Sequence, residues 1–240
     1  MWWLGRGLPN LPETQHTRPQ RIAWKNFLER SLMTQHTCTG IILAGGESKR
    51  LNNVEKSNLL VGNKRIIERM MTVFEKLFSE IILVSNRPTL YVEWDAIVVK
   101  DLYAKRSSLT GIHTGLFYTK TDHAFIAACD TPFLKLDLVK TVIQNVRQGI
   151  DVVLPRTKVG IEPLCAVYSR RCIQAVQNAL DRDNLKIRNL FKKLKVKEVP
   201  EMTLRKTDPG LVSFFNINTP DDLEKANRMV AKNGHQTATA

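Results

Sequence analysis

The chain has 240 residues, 43% hydrophobic and 25% charged, with a formal net charge of +13. That length supports one sizeable core, and no apolar run approaches the ~20 residues needed to cross a bilayer. Cys38, Cys129, Cys165 and Cys172 form no C-x-x-C pair and have no histidine cluster beside them, which argues against a zinc set or a disulfide framework and leaves reduced, buried thiols. Met1-Trp2-Trp3-Leu4 is broken at once by Gly5, Arg6 and Gly7, short of the roughly 7–15 apolar residues of a secretory signal, so a soluble cytoplasmic protein is expected.

Residues 1–38 lack apolar periodicity over their first twenty positions and read as a loose N-terminal extension. Ile22–Leu32 has the spacing of one short helix. Met33 stands just ahead of the first strand, so residues 1–32 also read as an upstream translation start. From Thr39 the pattern is regular. The run over 40–44 ends in glycines, as a strand buried on both faces does. Apolar residues at 66, 67, 70, 71, 73, 74, 77 and 78 predict a helix over Ile66–Phe78. Strands follow over 81–84 and 96–99, a helix over 109–118, a strand over 124–129 that stops at Asp130, a helix over 136–146 and a strand over 151–154. Beyond Pro155 the sequence predicts a strand over 164–168, helices over 172–180 and 187–194, and a late strand over Phe214–Asn218. The last helix begins at Pro220, with Thr219 as its N-cap and Asp221 and Asp222 in its first turn. This alternation predicts one three-layer α/β/α domain over 39–232, built on a mainly parallel Rossmann-like sheet, with a tail at 233–240.

Three motifs carry chemistry. Leu43-Ala44-Gly45-Gly46-Glu47-Ser48-Lys49-Arg50 follows a buried strand directly. Its paired glycines let successive N–H groups approach an anion, and Lys49, Arg50 and Lys56 add positive charge. It is neither G-x-x-x-x-G-K-[ST] nor G-x-G-x-x-G, which weighs against P-loop NTPases and dinucleotide dehydrogenases. Cys129-Asp130-Thr131-Pro132-Phe133 places a carboxylate at the end of a buried strand, where open α/β sheets bind ligands and where Mg²⁺ finds an oxygen donor. Phe215-Asn216-Ile217-Asn218-Thr219-Pro220 sets two amides at the end of an apolar run. Taken singly, each has a plainer explanation: a tight βα turn, a turn aspartate, strand-end polarity.

Together, L-A-G-G-x-x-x-R, a lysine downstream, C-D-x-P-[FY] and N-I-N-T-P resemble the molybdenum cofactor guanylyltransferase family, within the Rossmann-like nucleotidyltransferases. The likeness spans roughly Thr39–Met229. It implies transfer of GMP from GTP to the phosphate of molybdenum-molybdopterin, with Mg²⁺ as cofactor. It further implies that Leu43, Ala44 and Gly45 contact guanine and ribose through their backbone. Gly46, Arg50 and Lys56 would hold the phosphates, and Asp130 would bind the metal. Asn86 and Asp101 would serve the nucleotide, while Asn216 and Asn218 would face the reacting phosphates or the acceptor. Arg50, Lys56 and Asp130 form the implied catalytic set.

The chain departs from the family's usual R-M-G-x-D-K, reading Arg50-Leu51-Asn52-Asn53-Val54-Glu55-Lys56, and from its Gly-Pro-Leu segment, reading Ser108-Leu109-Thr110-Gly111. These changes bear on base preference and efficiency more than on class. An anionic phosphate nucleophile needs no strong general base, so His113 and His123 read as helix or surface positions. Residues 182–206 hold nine Lys/Arg against three Asp/Glu and are expected to touch the acceptor, a cofactor carrier or a molybdoenzyme apoprotein. Only Phe191 interleaves an aromatic among these basic residues, which weighs against nucleic acid, and no membrane contact is expected. The alternatives are another Mg²⁺-dependent nucleotidyltransferase, using CTP on molybdopterin or an NTP on a sugar or other phosphate, and a nucleotide-binding regulator without catalysis.

Overall fold

The computed structural model describes residues 38–45 and 55–237. The expected extension, save Cys38, and the motif positions Gly46 and Arg50 lie outside the described residues. The first half of the chain forms β1 (Cys38–Leu43), a small hairpin of β2 (Leu60–Val61) and β3 (Lys64–Arg65), α1 (Ile66–Phe74), β4 (Ile81–Val84), β5 (Ile97–Val99) and α2 (Ser108–Tyr118). The second half adds β6 (His123–Ala128), α3 (Leu136–Ile143), β7 (Val152–Arg156), β8 (Cys165–Ser169) and α4 (Ile173–Asp181). It ends with α5 (Ile187–Leu190), β9 (Val196–Pro200), α6 (Glu201–Leu204) and α7 (Pro220–Thr237).

Seven strands make one sheet in the order β5-β4-β1-β6-β8-β7-β9. β8 runs antiparallel to both of its neighbours and every other pairing is parallel. The continuous apolar runs are explained by helices on both faces. Ile41 packs with α2 and α4 on one side, while its neighbour Ile42 packs with α1 and α3 on the other. Phe125 and Ile126 divide in the same way. The fold is a three-layer α/β/α domain.

The layer under α1 is held by aromatics. Phe125 lies 6.0 Å from both Phe74 and Phe78, ring centre to ring centre. Its neighbour in the ladder is Gly40. A methyl there would stand 2.5 Å from Phe78 Cδ2 and 2.7 Å from Phe74 Cδ1, so this strand position must stay bare for the rings to close over it.

Some elements differ from expectation. α1 stops at Phe74, because the chain turns tightly there: Leu77 and Phe78 both donate their N–H to Phe74 O at 2.9 Å. The helix expected over 187–194 is split into α5 and a 3-10 turn at Phe191–Lys193. α7 continues to Thr237, past the boundary expected at 232. Its start follows the sequence reading, since Thr219 Oγ1 accepts from Asp222 N–H at 3.2 Å while Asp222 Oδ2 accepts from Thr219 N–H at 3.0 Å.

The late strand over Phe214–Asn218 is not formed. Val212–Phe214 is a 3-10 turn entered through Leu211 in the left-handed region, at φ 51°. The fully buried Asp208 causes this bend: its Oδ2 accepts from Ser213 N–H at 2.9 Å, and Lys135 Nζ lies 3.0 Å from Oδ1. Ile217 N–H then donates to Asp130 O at 2.9 Å. Phe215 packs against Phe133, with ring centres 5.9 Å apart.

Candidate active site

Where the strand order reverses, β4 and β5 lie to one side of β1 and β6 to the other. Open α/β sheets bind ligands in the crevice outside the strand ends at this switch point. A cleft of about 670 Å³ opens there, lined by Leu43, Gly45, Lys56, Asn86, Asp101, Asp130 and Asn218. These residues come from the end of β1, the 3-10 turn at Lys56–Asn58, the ends of β4 and β5, the end of β6 and the approach to α7.

Asp130 is fixed through its backbone. Cys129 N–H donates to Leu43 O at 3.1 Å, Thr131 Oγ1 donates to Ala128 O at 2.9 Å, and Asp130 O accepts from Ile217 N–H. Its carboxylate Oδ2 lies 3.4 Å from Lys56 Nζ, which also donates to Asn218 Oδ1 at 2.6 Å. At the other end, Asn86 Nδ2 donates to Asp101 Oδ2 at 2.8 Å. An ideal Cβ on Gly45 would stand 4.0 Å from that same oxygen, so Asp101 lies beside Gly45.

Two expected residues stand apart. Asn216 is exposed and does not line the cleft; in the extended stretch the buried Ile217 separates it from Asn218. Ala44 is fully buried, its N–H donating to Val84 O at 2.9 Å and its carbonyl accepting from the Tyr91 hydroxyl at 3.2 Å. Burial pushes the Tyr91 hydroxyl up to about 12, so it stays protonated and remains a donor.

The cleft also contains residues to which the sequence reading gave no role: Glu55, Arg106, Ser107 and Ser108. Ser107 caps α2, its Oγ accepting from Thr110 N–H at 3.2 Å, so the positive end of an eleven-residue helix opens into the cleft. A serine just ahead of an apolar helical run was the available signal. Gly111 on the same helix permits its close approach to β1, since an added methyl would meet Leu43 Cδ2 at 3.1 Å. His113 is buried on α2, edge-on to Tyr103 at 4.9 Å, and burial lowers its pKa. It does not line the cleft.

Asp101 carries a testable electrostatic cost. Burial raises its pKa and the Asn86 amide pulls it partly back. A folded-state value above the unfolded one means that the ionised carboxylate opposes folding at neutral pH. That penalty disappears as pH falls below the ordinary value of 3.8. Asp101→Asn is therefore expected to melt higher than the parent at pH 7, with the gap closing in acid. Equal melting temperatures at pH 7 would refute this.

The donors suit a hard divalent cation that retains water and substrate oxygens. Asp130 supplies a carboxylate with 21% of its side chain exposed, and Asn218 supplies an amide oxygen. Neighbouring Cys129 is buried, which raises its thiol pKa and keeps it neutral. Among the described residues no cluster of three or more His, Cys, Asp or Glu could cage a metal.

The basic stretch at 182–206 is divided by the fold. Arg188 Nη2 reaches the β7–β8 turn, 3.2 Å from an ideal Cβ on Gly160. Lys195 sits at the opposite end of the sheet, where its N–H donates to Asp151 Oδ2 at 2.9 Å just before β9. Lys195 is therefore remote from an acceptor in the cleft. Among the described residues no helix is long and apolar enough to cross a membrane.

The family model described as a MobA-like NTP transferase domain matches residues 40–199. The chain belongs to this family. It is a nucleotidyltransferase, 45% identical over 188 residues to the molybdenum cofactor guanylyltransferase of Desulfosudis oleivorans, across 78% of this chain and 93% of that one. It is 38% identical over 199 residues to a probable molybdenum cofactor guanylyltransferase of Natranaerobius thermophilus, across 81% and 97% of the two chains. A protein of known structure, molybdopterin-guanine dinucleotide biosynthesis protein A from Archaeoglobus fulgidus, is similar with a TM-score of 0.73 at 29% identity, covering 81% of this chain and 99% of its own. The 4-diphosphocytidyl-2C-methyl-D-erythritol synthase of Anaerococcus prevotii, at 16% identity and a TM-score of 0.61 over 83% and 99% of the chains, shares the fold alone.

Proposed function

We propose that the chain transfers GMP from GTP to the terminal phosphate of molybdenum-molybdopterin and releases pyrophosphate. The observation that carries this is Lys56 held between Asp130 and Asn218, at 3.4 and 2.6 Å, on the cleft edge of the sheet. Family membership and the guanylyltransferase relatives supply the substrates.

The acceptor phosphate is already anionic near neutral pH, so its attack on the α-phosphorus of GTP needs no general base. Lys56 binds and orients the triphosphate, giving up its hold on Asn218 as it does so. The start of α2 adds N–H donors and a favourable field for a second phosphate. Asp101 and Asn86 hold the nucleoside end, and Gly45 lets it lie close to the backbone. Arg50 and Gly46 act on the phosphates in this reading, and Asn218 turns to the acceptor. Asp130 would hold Mg²⁺, which supplies neutralisation of phosphate charge when bound. In this reading the domain from β1 to the end of α7 is catalytic and works in the cytoplasm.

Pyrophosphate release, followed with each common NTP in turn and with and without molybdopterin, tests this directly. GTP-selective release that requires the pterin is expected. Release with CTP in place of GTP would assign the chain to the cytidylyl branch, and release without the pterin would remove it as acceptor.

A further inference from the structure

The turn that carries Lys56 is tied down at both of its neighbours. Before it, Glu55 is 7% exposed, and its Oε1 lies 3.4 Å from Arg87 Nε. After it, Ser57 Oγ lies 2.7 Å from the Tyr91 hydroxyl, which donates onward to Ala44 O at 3.2 Å. Asn58 N–H closes the turn onto Glu55 O at 3.0 Å. Arg87 and Tyr91 belong to one short segment, anchored where Arg87 N–H meets Ser85 Oγ at 3.1 Å. With both flanking residues bound to this segment, Lys56 is left to reach Asp130 and Asn218.

The same segment begins with Asn86, which holds Asp101. Lys56 and Asn86 are therefore linked through their immediate neighbours, Glu55 and Arg87. We propose that the Glu55–Arg87 ion pair is a positioning clamp. It sets the separation between the lysine on the phosphate side of the cleft and the Asn86–Asp101 pair on the nucleoside side. This rests on reading the cleft as a nucleotide site. A carboxylate lining a cleft for a triphosphate would otherwise repel it, and the Arg87 guanidinium offsets that charge.

The test is GTP affinity, measured by calorimetry with Mg²⁺ present, for the full chain and for Glu55→Gln, Arg87→Ala and the double variant. Each single change is expected to weaken binding about tenfold, or about 1.4 kcal/mol, and the double variant to lose no more than either alone. Losses that multiply in the double variant overturn the clamp. So does Glu55→Gln binding GTP as tightly as the parent or more tightly, the outcome expected of a carboxylate that merely repels phosphate. A lowered melting temperature with unchanged affinity marks a pair that only holds the fold, and overturns it too. Arg87 is 48% exposed, so Arg87→Ala keeps the test open even where Glu55→Gln fails to fold: parental affinity in that variant alone ends the proposal. A parent chain that binds no nucleotide overturns the underlying site reading, and the clamp with it.

Discussion

Asp130→Ala and Lys56→Ala are each expected to lower turnover about 100-fold or more, equivalent to about 3 kcal/mol of transition-state stabilisation. With no side-chain base in the proposed reaction, catalysis is left to positioning and charge neutralisation. These two groups lie 3.4 Å apart where the triphosphate would meet the sheet edge. Asp130→Ala removes the carboxylate suited to the divalent ion, and Lys56→Ala removes the cation suited to the phosphates. Neither loss is expected to unfold the chain. The pair is partly exposed, at 15% and 21%, and such ion pairs contribute about 0–1 kcal/mol. The backbone bonds that fix Asp130, from Cys129 N–H to Leu43 O and from Ile217 N–H to Asp130 O, involve no side chain of either residue. The measurement is kcat for pyrophosphate release at saturating GTP and acceptor, with melting curves alongside. Near-parental kcat in either variant would strike that residue from the mechanism.

Phe125→Ala is expected to cost about 3–5 kcal/mol of stability. That is a large part of the ~5–15 kcal/mol that holds a domain together. Phe125 is fully buried, with Phe74 and Phe78 each at 6.0 Å and the bare Gly40 as its ladder neighbour. Removal of the ring leaves a hole that strand backbone on one side and helix α1 on the other are poorly placed to fill. Urea unfolding is expected to show a lower midpoint at an unchanged slope. A loss below about 1 kcal/mol would mean that the neighbouring rings collapse into the space.

The elements legible from the sequence were those whose burial is local in origin. β1, β4 and β6 contain unbroken apolar runs because helices cover both faces of the sheet, and α1 shows helical spacing because one face meets that sheet. The ends were less legible: α1 and α3 stop short of their apolar patterns, because Leu77, Phe78 and Val146 pack against the core from turns beyond the helices. The late strand failed for a related reason. Its apolar residues do reach the core, but the Asp208 carboxylate bends the chain ahead of them, and only Ile217 makes a backbone bond to the strand-end segment.

The site divided along the same line. Gly45 and Asp130 stood out because they follow strand ends, which topology brings to one edge; Lys56 stood out as a cation downstream of the glycine pair, and Asp101 came from the family resemblance. Glu55, Ser107 and the exclusion of Asn216 left no such trace.

By itself, the sequence determined the order of strands and helices from β1 to α4, the β2–β3 hairpin excepted, and the polar residues placed where those strands end. Each of these follows from local periodicity and backbone preference. The tertiary structure alone decided that β8 runs antiparallel, that Lys56 meets Asn218 across 162 positions, and that Glu55 faces Arg87. Apolar periodicity records which face of an element is buried. It does not record the direction in which a strand is paired, or which distant polar group a side chain meets.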